Sequence, residues 1–193
     1  MVRAKYVQIQ RRRRSGKTNF KKRSTLLQSR KTMLAVRISN RSTSIQFLTP
    51  LLAGDKIESS SHSSQLIKLG WTGSGKSLPG AYLTGYLAGR KASKAGVKQA
   101  IPYLGTRRFT AGSRVVASLK GVIDAGVQVP MNDDVLPEPA RLRGEHIAKF
   151  ASILESDSVI YTKRRKAGYD PSNSGQEIDD MKEKIDAKVG DKK

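Results

Sequence analysis

From Met1 to Gly54 the chain contains no aspartate or glutamate, yet it carries fourteen lysines and arginines. No other feature limits the fold so strongly. A stretch of one sign cannot neutralise itself. Its first 32 residues also hold too few apolar side chains to offset the entropy of ordering. These bases are Arg3, Lys5, Arg11 to Arg14, Lys17, Lys21, Lys22, Arg23, Arg30, Lys31, Arg37 and Arg41. All 16 acidic residues lie from Asp55 onward, and the 193-residue chain has a net charge of +21. A folded monomer with that excess repels itself, so a polyanion is expected beside it, either nucleic acid or an anionic membrane.

The basic stretch favours nucleic acid. "QIQRRRRSGKTNFKKR" mixes arginine, lysine and amides with Phe20, and Tyr6 stands just before it. Arginine forks fit phosphate oxygens and stack on exposed bases, and aromatic rings stack on unpaired ones. Arg11 to Arg14 form a solid block with no interleaved apolar stripe, unlike a helix that lies in a membrane surface. No apolar run approaches the ~18 residues of a membrane span. The chain has no cysteine, which excludes a disulfide scaffold, a thiolate metal site and a cysteine nucleophile, and fits a reducing cytosol.

Patterning divides the chain into an arm (1–32), a compact domain (33–155) and a charged tail (156–193). The expected class is mixed α/β: short antiparallel strands plus helices in one compact domain, with a basic N-terminal extension and a charged C-terminal tail. "MLAVRISN", "STSIQFLTP" and "KIESSS" predict three close-connected antiparallel strands. "PGAYLTGYLAGRKASKAG" then has helical spacing, with Pro79 suited to the start and Gly96 to the stop. "AIPYLG" suggests a short strand. In "GSRVVASLKGVIDAG", Val115, Val116, Leu119, Val122 and Ile123 share one helix face. "PEPARLRGEHIAKFASIL" is a third helix candidate. Beyond Asp157 both signs mix with loop formers, which favours a solvated tail, although 177–189 could form a charged helix.

One motif argues for different chemistry. "GWTGSGKS" (70–77) matches the G-x-x-x-x-G-K-[ST] nucleotide loop. That loop works between a buried strand and a helix that begins at the Gly-Lys-Ser. Here "SSQLIKL" is a weak strand, and Pro79 would fall where the first internal N–H of such a helix is needed. No partner acidic strand follows, because "VASLKGVID" reads as an amphipathic helix. A Gly/Ser surface loop accounts for the residues better. His62 and His146 are too far apart in sequence to suggest a metal site. Asp133-Asp134 look like a turn and helix-entry cap. No catalytic residue, cofactor, metal or small-molecule substrate is expected.

Several long segments resemble the archaeal-type large-subunit ribosomal protein L-eighteen family, the 5S rRNA binders. They are "RRRRSGKTNFKKR" (11–23), "VRISN" (36–40), "HSSQL" (62–66), "GW" (70–71), "LPGAYLTGYLAG" (78–89), "GSRVVASLKGVIDAGVQVP" (112–130), "NDDVLP" (132–137) and "RLRGEHIA" (141–148). The resemblance implies a non-enzymatic protein of the cytoplasmic ribosome. Its expected partners are 5S rRNA, large-subunit rRNA and neighbouring large-subunit proteins, with no membrane. It implies RNA contacts from Arg11, Arg12, Arg13, Arg14, Lys17, Asn19, Phe20, Lys21, Lys22 and Arg23 in the arm. It implies further contacts from Arg37, Ser39, Asn40 and Arg41 at the first hairpin, with Ser63, Ser64 and Trp71 nearby. The chain departs from the family at Arg41-Ser42, where a Lys-His pair is frequent, and at Met131, where histidine is common. The rival readings are a nucleotide hydrolase using Gly70 to Ser77 and a general basic protein that compacts DNA.

Overall fold

The run Met33–Ile38 is apolar at five of six positions because both of its faces are covered. The computed structural model, which describes residues 7–154, 160–166 and 168–190, places this run as β1 inside a four-stranded sheet of order β3-β2-β1-β4. β2 (Thr43–Leu51) and β3 (Gly54–His62) continue the antiparallel meander, with a bulge between Phe47 and Leu48. β4 (Ile101–Tyr103) runs parallel to β1 on its other side. Leu34, Val36 and Ile38 point to one face and pack with Ile45 and Phe47 against two helices. Met33 and Ala35 point to the other face and meet Leu48, Tyr103 and Leu26. The mixed α/β class holds, and the three expected strands form.

The N-terminal segment is helical in two places. α1 (Arg11–Arg14) is a single turn, and α2 (Phe20–Gln28) lays Leu26 on the second face of the sheet. After β3 come the short α3 (Ser64–Ile67) and then α4 (Leu78–Lys94). α5 (Arg114–Asp124) follows β4 and packs on α4. The contact is backbone to backbone. A Cβ on Gly85 would sit 2.0 Å from the Ser118 carbonyl oxygen, and one on Gly121 would sit 2.2 Å from that of Tyr82. Glycine inside a helix costs ~1 kcal/mol relative to alanine. Here it permits a close crossing that no larger residue allows.

The third helix candidate is broken. α6 (Pro139–Leu142) and α7 (Glu145–Ile153) are separated by Gly144 at φ +75°. Ser174 Oγ donates to the Gly144 carbonyl at 3.1 Å, and a Cβ there would crowd Ser174 and Pro79. Asp133–Val135 form a 3-10 turn behind Asn132. They cap no helix, since Glu138 stands at the start of α6. The expected boundary between domain and tail, at residues 155 and 156, lies outside the described residues, as do Arg3, Lys5 and Tyr6.

The largest difference from expectation comes after α8 (Thr162–Arg165) and the 3-10 turn Pro171–Asn173. α9 (Ser174–Gly190) is no solvated tail. Ile178, Met181 and Ile185 are 1%, 1% and 0% exposed, in one cluster with Leu66, Trp71, Tyr82, Leu83 and Leu87. Their spacing of three and four residues makes a stripe, which the many charges around it disguise in sequence. Glu177 accepts from the Thr72 backbone and hydroxyl, at 3.2 and 2.6 Å, and Asp186 pairs with Arg90 at 2.7 Å.

Candidate nucleic-acid interface

The four arginines of α1 and the following Lys17 are exposed. The turn they form is nevertheless anchored. Arg12 Nε donates to Thr18 Oγ1 at 2.9 Å, and Thr18 is 8% exposed. Arg12, Lys17 and Thr18 wall a cleft of about 210 Å³ together with Arg37 of β1 and Arg107 of the β4–α5 loop. The arm, β1 and the β4–α5 loop thus present their bases to one space.

In α2 the side chains divide by role. Asn19 caps the helix, accepting from the Lys22 N–H at 3.1 Å. This is one of the favoured cap chemistries and uses the Asn19 oxygen. Phe20 is half-buried, while Lys21 and Lys22 point to solvent. Arg23 is ion-paired with Asp55 at the β2–β3 turn, and its guanidinium lies 5.8 Å from the Tyr103 ring centroid. The bond to Asp55 holds Arg23 above its ordinary pKa despite burial. Its charge straps α2 to the sheet.

The first hairpin is built around Ser39. Its hydroxyl meets the Ser42 Oγ at 2.9 Å and accepts from the backbone N–H groups of Arg41 and Ser42 at 3.2 and 2.9 Å. Asn40 and Arg41 are left exposed at the tip. Buried Thr43 ties the hairpin to two later segments: its N–H donates to Ser63 Oγ at 3.2 Å and its hydroxyl to the Gly75 carbonyl at 3.1 Å. Ser63 is 3% exposed and acts as a strut. Ser64 is exposed and bonds His62 Nδ1 at 2.7 Å. Trp71 is 3% exposed within the α4–α9 cluster. The structure therefore leaves the hairpin tip, Ser64 and the bases of α1 exposed, and buries Ser63 and Trp71.

The nucleotide-loop motif lacks its context. Gly70 follows helix α3, with no strand before it. Ser77 is the N-cap of α4, accepting from the Gly80 N–H at 3.2 Å and donating to the Ser74 carbonyl at 2.6 Å. Its hydroxyl is used within the loop, and the helix begins after the Lys-Ser pair. Arg114 donates to the Lys76 carbonyl at 3.2 Å, holding the loop to α5.

Arg107, Arg108 and Arg114 were not among the expected contacts. They line a second cleft of about 260 Å³ with Ile38, Thr110 and Ser113, and Arg107 borders both clefts. A basic band thus runs from Arg12 and Lys17 through Arg37, Arg107 and Arg108 to Arg114. Among the described residues none of these six is ion-paired with a carboxylate. Asp133 and Asp134 stand near its border, where the Gly112 N–H bonds the Val135 carbonyl. "GTRRFTAGSR" carried a legible signal: three arginines and exposed Phe109 in ten residues, with no acid.

The other perturbed groups have structural causes. Burial, followed by a 2.8 Å bond to Asp124, pushes Tyr82 far up, and burial with Asp186 raises Tyr86. Burial, aided by Arg141, lowers His146. Among the described residues no group of three or more histidines or carboxylates could hold a metal ion. No helix among them is long and apolar enough to cross a membrane.

The model of the family described as ribosomal large subunit proteins 60S L5 and 50S L18 matches residues 4–103. The large ribosomal subunit protein uL18 of Korarchaeum cryptofilum is 44% identical over 180 residues, covering 92% of each chain. That of Thermofilum pendens is 42% identical over 188 residues, covering 95% of this chain and 96% of its own. That of Aeropyrum pernix is 44% identical over 160 residues, covering 82% and 75%.

Proposed function

The chain belongs to the family of large-subunit ribosomal proteins that unites 60S L5 and 50S L18, and from that premise we propose that its RNA partner within the subunit is 5S rRNA. As a member of that family it is a non-enzymatic constituent of the large ribosomal subunit, associated with rRNA in the cytoplasmic ribosome. The observation that carries the finer reading is the unpaired basic band beside a rigid hairpin tip. Charge alone binds any polyanion. A fixed arrangement of Arg37, Asn40, Arg41, Arg107, Arg108 and Arg114 can instead favour one RNA shape, because A-form helices are read through backbone geometry and exposed bases.

Residues 1–32 act as the arm, with Arg11 to Arg14, Lys17, Lys21 and Lys22 on phosphates and helping to join 5S rRNA to the large-subunit rRNA. Residues 33–155, together with α9, act as the body that binds 5S rRNA. Ser39, Ser63, Trp71, Asn19 and Arg23 support that surface by holding its loops and helices, and Phe20 and Ser64 flank it. The test is competition against labelled 5S rRNA at two salt concentrations, with duplex DNA and an unrelated folded RNA as competitors. The expected result is that 5S rRNA wins by orders of magnitude at the higher salt. Equal competition, with binding that collapses uniformly as salt rises, would leave only non-specific attraction and defeat the proposal.

A further inference from the structure

On the outer side of α4, where its last turns meet α3 and the end of α9, lies an open cleft of about 610 Å³ that shares no residue with either basic cleft described above. That volume is within the usual range for ligand-sized sites, about 300–1,000 Å³. Four lysines rim it: Lys68, Lys91, Lys94 and Lys188. Its floor is aliphatic, formed by Leu69, Leu87 and Val189.

Two cations elsewhere on α4 and α9 meet carboxylates of the chain itself: Arg90 pairs with Asp186, and Lys182 approaches Asp179. The four rim lysines have no such partner among the described residues. Lys91 Nζ reaches the neutral Gln65 Oε1 at 2.7 Å, and Lys94 Nζ reaches the Val189 carbonyl at 2.8 Å. Burial and then the charge of Lys188 lower the Lys91 pKa, as expected for an ammonium crowded by its own sign.

We propose that this cleft docks an acidic, leucine-like peptide segment of a neighbouring protein, its aliphatic side chains on the Leu69–Leu87–Val189 floor and its carboxylates on the four lysines. The chemistry disfavours RNA. Bases stack on aromatic rings and guanidinium planes, and the lining contains neither. A phosphodiester chain would satisfy the lysines and leave the aliphatic floor wet. A peptide carrying both carboxylates and aliphatic groups covers both. This site does not depend on 5S rRNA being the RNA partner.

The experiment uses the full isotope-labelled chain and records amide shifts residue by residue. The probe is a twelve-residue peptide with leucine at every third or fourth position and glutamate elsewhere. Shifts are expected at Gln65, Lys68, Leu69, Lys94 and Val189. Affinity should fall at least tenfold for the Lys68→Glu/Lys188→Glu variant and stay unchanged for Arg12→Glu. Thermal melts of both variants check that the fold is intact. A glutamine-for-glutamate peptide should bind far more weakly. The proposal is overturned if the peptide shifts only the arm, or if the glutamine peptide binds equally well. It is also overturned if a single-stranded RNA decamer or octanoate occupies the cleft in preference to the peptide.

Discussion

The two ends of this chain are both dense in charge and behave in opposite ways. Residues 7–32 and 174–190 are both rich in charge, and either could be taken for a solvated extension. The N-terminal one is basic throughout and keeps its bases exposed apart from Arg23, with Thr18 as its one buried residue among those described. The C-terminal one buries Ile178, Met181 and Ile185 completely against α4. Charge content does not decide which end enters the core. What decides it is whether a few apolar residues recur at helical spacing and whether the opposite charges around them can pair at the rim, as Asp186 does with Arg90 and Lys182 with Asp179.

The sharpest way to break this comparison is to remove each end in turn. Ending the chain at residue 173 strips three fully buried side chains, each contributing about 1.5–3 kcal/mol, from a fold whose total stability is of order 5–15 kcal/mol. Cooperative melting should be lost or Tm lowered by tens of degrees, with Trp71 emission shifted to the red. Deleting residues 1–19 should leave Tm within a few degrees. It should instead flatten the salt dependence of rRNA binding by roughly 0.7–0.9 in log-log slope for each phosphate contact removed. An unchanged slope would deny the arm its role.

Single substitutions sharpen the same contrast. Ile185→Ala should cost about 2–5 kcal/mol in denaturant unfolding, and Leu26→Ala in the half-buried contact of α2 clearly less. Gly121→Ala forces its Cβ into the Tyr82 carbonyl, and about 1–3 kcal/mol or more of overpacking is expected, with Gly85→Ala similar. The Arg23–Asp55 pair is partly exposed, and a double-mutant cycle on it should return at most about 1 kcal/mol. The smallest expected effect is that of His146. Its folded pKa lies below the ordinary 6.5, so between those values the unfolded chain binds the proton more readily. Stability should therefore decline as pH falls through about 6.5 towards the folded value, and His146→Gln should flatten that slope. An identical pH profile in the variant would show that another group is responsible.

Much of the fold was legible because its signals are local. Strand runs, the proline-led start of α4 and the one-sided apolar face of α5 follow from spacing and backbone preference at neighbouring residues. The break at Gly144 had a local signal in the glycine itself, whereas the Ser174 hydroxyl that bonds its carbonyl stands thirty residues away. The same holds for the candidate site. The block Arg11 to Arg14 announces itself, and the acid-free arginines at 107–114 could have been counted. Trp71 and Ser63 could not be sorted from Ser64 by type, since a tryptophan in a Gly/Ser loop serves a core or a surface equally well. Burial under α9 and the bond from Thr43 decided those two cases.

The sequence by itself therefore determined the charge asymmetry, the kind of partner it demands, the succession of strands and helices, and the rejection of a nucleotide loop followed too closely by Pro79. These depend on residue chemistry and on rules that act over a few positions. Only the tertiary structure decided that α9 completes the core, that Arg23 spends its charge on Asp55 while Arg107 and Arg114 keep theirs, and that Gly85 and Gly121 let α4 and α5 touch. Each of these is a pairing between residues distant along the chain, and neither partner carries a local mark of the other.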